Sequence, residues 1–431
     1  MNRSGKSLGH TSASLLLAIL LCSLPLVAQA QTADEAADNQ QPESEDVKEE
    51  AKDADINGSL DDAKGSVVID KVQRGISANW DLRGGYFGSD SDGFLFGKDT
   101  EGVWRARWRV AGTVGITPYL LGSVRIAGLC SDIDCEPEFV LTDYLPTTTS
   151  MEDGQVTLDE TYLHWYRLDK FDLAVGRMQT KFVAHGGVFA KSLDRDTSNN
   201  TNVNWTDGIH GAYHAENGWV SHLIAEHNAP EGATEVRRGP LNFEDSGARV
   251  SYFLAFENLE PGRFLLQRGL DISYLPDSLL KNGTQYGPHE DYYGFVLRGS
   301  TRWPETDSGV RLRTAAEVGY APETQTKAAA GLAGDGDVGG LAWNVVVSLM
   351  DFKPNHSIGV NYGQVEAGWL LSPQFAQNQS LAEIRYQWRK SKDLELAIRL
   401  RHRVDLEQPI TSDGKLSDTD FFVRITWGGA L

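Results

Sequence analysis

Long segments in which apolar and charged side chains alternate at every second position constrain the fold of this chain most. Residues 102–114, GVWRARWRVAGTV, place Trp104 and Trp108 on one parity and three arginines on the other. Because successive side chains of a strand point to opposite faces, this pattern predicts a strand with one apolar and one charged face. The pattern returns in three later segments, 310–320, 381–389 and 394–403.

Sixteen segments of this kind can be read along the chain. Tight turns and long loops alternate between them; the long connections are 89–101, 130–154, 179–204, 229–244, 276–290, 322–338, 371–379 and 405–417. Outer-membrane barrels sort their connections in this way, with short periplasmic turns and long extracellular loops. Many of the segments are also longer than the strands of soluble sandwiches. We therefore predict an all-β fold, a transmembrane antiparallel up-and-down β-barrel of about 16 strands, over residues 71–431.

The first thirty residues have the pattern of a secretory signal. Arg3 and Lys6 precede an apolar stretch from Leu15 to Val27, which is too short to span a bilayer, and Ala28-Gln29-Ala30 matches a cleavage site. We expect residues 1–30 to be removed, and the mature protein to reside in the outer membrane, in contact with its lipid.

An acidic segment follows the predicted cleavage site. Residues 31–64 hold twelve carboxylates against three lysines, a net charge of −9, and contain no aromatic residue. Such a stretch cannot bury enough apolar surface to offset the entropy of ordering. We predict that residues 31–70 form a disordered periplasmic segment. The whole chain carries a net charge of −20, which argues against a nucleic-acid partner.

The parity opposite the lipid-facing side chains collects arginine far more often than lysine. If the lumen is filled with water, these arginines line a pore and favour anions, because the planar guanidinium suits carboxylate and phosphate groups. The predicted pore-lining residues are Arg105, Arg107, Arg109, Arg125, Arg311, Arg313, Arg385, Arg399, Arg401 and Arg403. We expect passive diffusion of small hydrophilic solutes, anionic or neutral, with a preference for anions such as phosphate.

Other interpretations of the same pattern stay open. Carboxylates on the facing wall would give a weakly selective or cation-preferring pore. Acids such as Glu317, Glu383 and Glu395 would neutralise the arginines in a plugged, non-conducting barrel. A barrel enzyme would need a Ser/His or Asp/His pair near the rim; the sequence contains no G-x-S-x-G or H-E-x-x-H motif, and we predict no enzymatic activity.

The sequence predicts neither a metal site nor a cofactor. His210 and His214 share parity, but four residues along a strand separate them by about 13 Å, too far for one metal ion. Cys130 and Cys135 remain after the predicted cleavage, and an exported protein allows a disulfide between them. A zinc site is the weaker alternative, because no histidine lies nearby.

The chain resembles Gram-negative outer-membrane porins of the phosphate-selective porin O/P family. LAVGRMQTKF at 173–182 is similar to that family's mid-chain strand and its exit, and DFFVRITW at 420–427 is similar to the terminal strand that the barrel-assembly machinery recognises. The resemblance implies a homotrimer of sixteen-stranded barrels. It also implies that the loop 179–204 folds inward and narrows the pore, with Lys181, Lys191 and Arg195 at the constriction.

Overall fold

The computed structural model describes residues 75–93, 97–141, 151–168, 170–180, 182–195, 205–228, 249–283, 288–372 and 377–431. The predicted signal peptide (1–30) and the predicted acidic segment (31–70) lie outside the described residues. In the described ranges, no helix is long and apolar enough to cross a membrane.

Sixteen long strands build the described part of the chain. They are β1 (Ile76–Gly93), β2 (Gly97–Thr117), β3 (Leu120–Ser131), β4 (Gln155–Leu168), β5 (Phe171–Met178), β6 (Thr206–His214), β7 (Trp219–Asn228), β8 (Arg249–Asn258), β9 (Leu265–Leu279), β10 (Glu290–Arg302), β11 (Arg311–Tyr320), β12 (Leu341–Lys353), β13 (His356–Val365), β14 (Gln379–Ser391), β15 (Leu394–Asp405) and β16 (Ser417–Ala430). Each corresponds to one predicted segment. Three two-residue strands lie in the loops: Glu138–Phe139, Ala184–His185 and Ala190–Lys191.

Every long strand pairs antiparallel with its neighbours in the chain, and the sheet closes on itself. β16 pairs with β1 from Asn79↔Ala430 to Ser91↔Asp418, and β1 continues the ladder into β2. The prediction of a closed, sixteen-stranded antiparallel barrel is therefore confirmed. The short turns, such as 118–119 and 392–393, gather at the periplasmic end together with the start of β1 and the end of β16.

The two faces of the wall differ as the alternation predicts. In β2, Trp104 points outward and is 61 % exposed, whereas Arg107 and Arg109 point inward and are 0 % and 1 % exposed. In β16, Phe421 and Trp427 point outward and are exposed. Phe422, which has the opposite parity, points inward and is fully buried. An apolar outer face and a charged inner face suit lipid outside and water inside.

Two predicted boundaries are wrong. Residues 89–101 were expected to form a loop, but β1 and β2 stay paired as far as Gly93↔Gly97. The backbone ladder needs no apolar side chains to continue once two strands are aligned, so polar residues extend it. The loop predicted at 371–379 begins earlier than expected, since β13 ends at Val365 and Trp369 is buried inside the barrel.

Candidate functional site

The connection between β5 and β6 folds into the barrel. We call its described residues 182–195 the internal loop. Phe182 packs against Phe253 of β8 with ring centroids 4.9 Å apart. Further along, Arg385 of β14 donates a hydrogen bond to the carbonyl of Val188 at 3.3 Å. The internal loop therefore runs along the inner wall from β8 to β14.

The tip of the internal loop lies so close to the wall that only glycine fits. A Cβ atom on Gly186 would lie 2.5 Å from Cγ1 of Val346, and one on Gly187 would lie 2.7 Å from Cβ of Ser348. Gly187 also has a φ of 86°, a conformation that favours glycine. The Ser348 hydroxyl donates to the carbonyl of Gly186. These contacts fix the tip against β12.

A buried ion pair holds the returning arm of the internal loop. Lys191 Nζ lies 2.8 Å from Glu383 Oε2 on β14, and Arg385 Nη2 lies 2.7 Å from the other carboxylate oxygen. Burial lowers the pKa of Lys191 to about 8, although Glu383 opposes this shift. Trp369 Nε1 donates to the carbonyl of Leu193 at 2.9 Å, which adds a second attachment.

The three cations predicted at the constriction have different positions. Lys181 lies outside the described residues. Lys191 is buried against Glu383 and does not face open solvent. Arg195 Nη2 lies 2.9 Å from Glu226 Oε2 on β7, and its guanidinium covers the ring of Phe253 at 4.6 Å. In the described part of the loop, these cations therefore attach the loop to the wall.

An apolar cluster fills the inner side of β9 to β14 above the tip of the loop. It contains Leu193, Leu275, Leu279, Tyr292, Val296, Ala321, Ala342, Val365, Trp369, Leu370, Leu371 and Leu381. Strand alternation predicts a polar inner face throughout and does not predict this cluster. The one local indication in the sequence is the apolar segment Trp369–Leu371, which follows the pattern of a strand end.

The strands from β14, where the internal loop ends, round to β2 carry most of the predicted pore arginines. β14, β15, β16, β1 and β2 are consecutive in the barrel. Their inner face carries Arg83, Arg105, Arg107, Arg109, Arg385, Arg389, Arg399, Arg401, Arg403 and Arg424. Carboxylates on the same described face are fewer: Asp81, Glu101, Glu383, Glu395, Asp405, Asp418 and Asp420. We call this surface the arginine wall.

The extracellular half of β15 forms a ladder of three arginines. Arg403 Nη1 bonds to Asp418 Oδ2 at 2.6 Å, and Arg401 Nε bonds to Asp420 Oδ2 at 2.6 Å. Arg399 Nη2 reaches the other oxygen of Asp420 at 2.5 Å. Three guanidinium groups thus share two carboxylates, and the ladder keeps an excess of positive charge.

The remaining predicted arginines also have acidic neighbours, with one exception. Arg107 lies 2.8 Å from Asp81, and Arg105 lies 2.8 Å from Asp153. At the periplasmic end of β11, Arg311 pairs with Asp351. Arg313 has no ion pair among the described residues.

A β-bulge in β4 places two consecutive carboxylates inside the barrel. Arg125 pairs in register with Glu160, but Ile126 pairs with Leu158, so Asp159 is the extra residue. Asp159 Oδ2 lies 2.8 Å from Arg109 and 2.9 Å from Arg125. Simple alternation places only one of two consecutive residues inside, so this cluster cannot be read from the strand pattern.

Removal of the Asp159 charge should destabilise the barrel. Asp159→Asn leaves two buried guanidinium groups short of an anion, and we expect a loss of about 3–5 kcal/mol in the free energy of unfolding. Urea unfolding in detergent micelles measures it. The control is Glu216→Gln, whose exposed pair with Lys170 should contribute about 1 kcal/mol or less. Equal losses in both variants would contradict the expectation.

Acidic side chains gather where the internal loop covers the opposite wall. Arg298 lies 2.7 Å from Asp271 and 2.8 Å from Glu257, so one guanidinium serves two buried carboxylates. Glu317 of β11 and Asp194 of the loop are buried nearby and have no ion pair among the described side chains. Burial, and then the Asp271 carboxylate, raise the pKa of Asp194 to about 7.

The raised pKa of Asp194 predicts a pH-dependent stability. Because this carboxyl group has a higher pKa in the folded protein than in an unfolded chain, its protonated form favours the docked loop below pH 7. Ionisation above pH 7 sets it against Asp271 and weakens docking. We expect the thermal unfolding midpoint to decrease as the pH rises from about 4, near the pKa of an aspartate in an unfolded chain, to about 7, and to change little above pH 7. Asp194→Asn should flatten this change, and an unchanged pH profile in that variant would contradict it.

The described residues contain no group of three or more His, Cys, Asp or Glu side chains that is arranged to hold a metal ion. His210 does lie next to another histidine: its Nε2 is 3.1 Å from Nδ1 of His222 on the adjacent strand. Alternation along one strand gives no information about this neighbour, because it lies on a different strand. Cys130 and Cys135 are joined in a disulfide, with Cα atoms 4.4 Å apart.

Trp205 is the first residue after the predicted loop 179–204, where an aromatic side chain indicates a position at the lipid interface. It is instead buried inside the barrel with Ala127, Leu129 and Met151. The Arg177 guanidinium lies 4.3 Å from the centroid of its ring. Trp205 precedes β6, where the chain returns from the internal loop, so strand parity does not determine its direction.

Comparison with solved structures supports the class of protein that this architecture defines. A structure of Pseudomonas putida OprB at high pH superposes with a TM-score of 0.54 at 12 % identity, covering 82 % of this chain and 94 % of that chain. Pseudomonas aeruginosa OprD gives a TM-score of 0.47 at 11 % identity, covering 83 % of this chain and 95 % of that one. The chain has the fold of an outer-membrane porin.

Sequence comparison adds no narrower family. No family model matches the chain, and no curated protein matches it. The fold therefore defines the class, an outer-membrane β-barrel of the porin type, and the predicted resemblance to phosphate-selective porins remains a prediction.

Proposed function

We propose that the protein is a passive outer-membrane channel that prefers small anions, with the arginine wall as its selectivity element. The observation that carries the proposal is the position of the internal loop. It covers the wall where Asp271, Glu317 and Glu257 lie and ends on β14 at Glu383 and Arg385. It leaves the rest of the arginine wall, on β15, β16, β1 and β2, uncovered. Solutes that pass beside the loop would then meet a surface with ten arginines and seven carboxylates.

Within β15, the accessible arginines lie near the extracellular mouth. The side chain of Arg403 is 20 % exposed, that of Arg401 11 % and that of Arg399 6 %, so accessibility decreases along the ladder. An anion entering from outside would exchange contacts with one guanidinium after another. Positively charged side chains along a pore favour anions in this way.

Single-channel recording in a planar bilayer tests the proposal. The refolded protein is placed under a potassium chloride gradient, and the reversal potential is measured. A reversal potential shifted toward the chloride equilibrium potential supports the arginine wall as the selectivity element. A shift toward the potassium equilibrium potential would overturn the anion preference and leave a cation-preferring porin. Repeating the recording with added phosphate tests the phosphate preference, which requires block of the chloride current.

A non-conducting structural barrel is the second candidate. The burial of Arg107 and Arg109 and the apolar cluster beneath the extracellular loops support it, because these side chains occupy much of the described lumen. The same recording separates the two candidates. Absence of current from barrels whose folding is verified by circular dichroism and heat-modifiable migration would favour the structural role.

We also propose that the protein forms a homotrimer and is inserted by the barrel-assembly machinery. The outward residues Phe421, Val423, Ile425 and Trp427 of β16 support the second proposal, since they present one apolar edge at the end of the chain. Chemical cross-linking of outer membranes tests the trimer. Deletion of residues 427–431 tests the terminal strand, and normal membrane levels of that variant would contradict it.

A further inference from the structure

Three arginines meet at the periplasmic end of β10 and β11, below the tip of the internal loop. Arg302 and Arg313 are register partners on the inner face. Arg311 precedes Arg313 by two residues on the same face, about 7 Å along the strand. Like charges directly opposite each other in a sheet are destabilising, so an anion between the exposed Arg302 and the buried Arg313 would stabilise the pair.

Among the described residues, one carboxylate contacts this group. Arg311 pairs with Asp351 of β12. Arg302 and Arg313 form no side-chain hydrogen bond or ion pair with any described residue. Arg313 is 7 % exposed, and its Nε–H has no acceptor. A buried N–H group without an acceptor is costly, because it has lost its hydrogen bond to water.

A buried hydroxyl group faces the same region. Ser300 lies two residues before Arg302 on the inner face of β10, is 1 % exposed, and its Oγ has no hydrogen-bond partner. Ser348, the register partner of Arg313 on β12, instead uses its hydroxyl to hold the carbonyl of Gly186. The loop tip is therefore fixed on the strand next to a group made of the exposed Arg302, the buried Arg313 and the buried, unpaired hydroxyl of Ser300.

We propose that Arg302, Arg313 and Ser300 form a binding site for a short dicarboxylate on the periplasmic side of the internal loop. The inference rests on the proposed channel and names a solute class for it. Two guanidinium groups without partners present two positive charges, and each planar fork accepts one carboxylate through two parallel hydrogen bonds. Arg311, already paired with Asp351, adds positive potential without being required as a ligand.

Isothermal titration calorimetry of the refolded protein with succinate tests the site without depending on conduction. We expect saturable binding, with weaker binding of acetate because acetate engages one fork only. Arg302→Gln and Arg313→Gln should each weaken succinate binding about tenfold or more, since each removes charge-assisted hydrogen bonds. Ser300→Ala should weaken it by a smaller factor.

Arg268→Gln provides the matched control. Arg268 lies on the outer face of β9, where its guanidinium is 5.4 Å from the Trp219 ring centroid, so its loss should leave succinate binding unchanged. Undetectable succinate binding to the folded wild type would overturn the site. Equal binding by wild type and the Arg302→Gln/Arg313→Gln double variant would overturn it as well. Binding of inorganic phosphate with greater affinity than succinate would replace the dicarboxylate by a single tetrahedral anion, and would overturn the solute class.

The reversal potential in potassium chloride keeps this test separate from the proposed function. Anion selectivity without succinate binding leaves the channel and removes the site. Succinate binding with cation selectivity leaves the site and removes the proposed anion preference of the pore.

Discussion

Replacing Arg399, Arg401 and Arg403 together by glutamine is expected to move the reversal potential toward the potassium side. The triple variant removes three positive charges and leaves Asp418 and Asp420, which these arginines bind, on the inner wall. The local charge then changes from an excess of one cation to an excess of two anions. Because Arg401 and Arg403 are the more accessible members, the change acts where solutes enter. Bilayer recording in a salt gradient measures it.

A matched variant separates this effect from simple destabilisation. Replacing Asp418 and Asp420 together with the three arginines, by asparagine and glutamine respectively, removes all five charges. We expect this variant to lose selectivity without becoming cation-selective. A reversal potential that stays near the chloride equilibrium potential in the triple arginine variant would contradict the role of the ladder. It would place the selectivity element elsewhere on the arginine wall.

Glu383→Gln is expected to release the internal loop from β14 and to increase both the conductance and its fluctuations. The substitution leaves Lys191 and Arg385 buried without their shared carboxylate. Removing one member of a buried ion pair costs about 3–5 kcal/mol. Displacing the loop relieves this cost, because water then reaches Lys191. The displaced loop also uncovers the acidic side chains behind it, so anion selectivity should fall in the same recordings.

Two further variants define what a change in conductance means. Glu407→Gln breaks the exposed pair with Lys327, and we expect no change in the current. The double variant Lys191→Met/Glu383→Leu replaces the buried pair by apolar groups. We expect its current fluctuations and its conductance to be closer to those of the wild type than in Glu383→Gln. A Glu383→Gln channel identical to wild type would show that Trp369 and the glycine tip hold the loop without the ion pair.

The sequence predicted the wall of the barrel well because strand alternation is a local property. The parity of Trp104 and Arg107, and that of Phe421 and Asp420, follows from the pleat alone. Turn residues and loop lengths then fixed the number of strands and the end at which the loops gather. The errors at 89–101 and at 366–370 have one cause, since hydrophobicity determines where lipid contact ends and hydrogen bonding determines where a strand ends.

The candidate site was predicted only in part. Alternation identified the arginines of the inner face but not their partners, because a partner depends on register between strands. Asp159 illustrates this limit, since a one-residue bulge brings it to Arg109 and Arg125. The apolar cluster around Trp369 was missed because its members come from separate strands and loops, and no local pattern unites them.

By itself the sequence determined the strands, the two faces of the wall and the excess of arginine on the inner face, because all three follow from a period of two along one segment. Only the tertiary structure decided which arginines keep uncompensated charge, where the internal loop lies and which wall it covers. Those features depend on contacts between residues far apart in the chain, such as Lys191 with Glu383 and Arg302 opposite Arg313. Closure of the barrel sets these distances, and no segment of the chain encodes them alone.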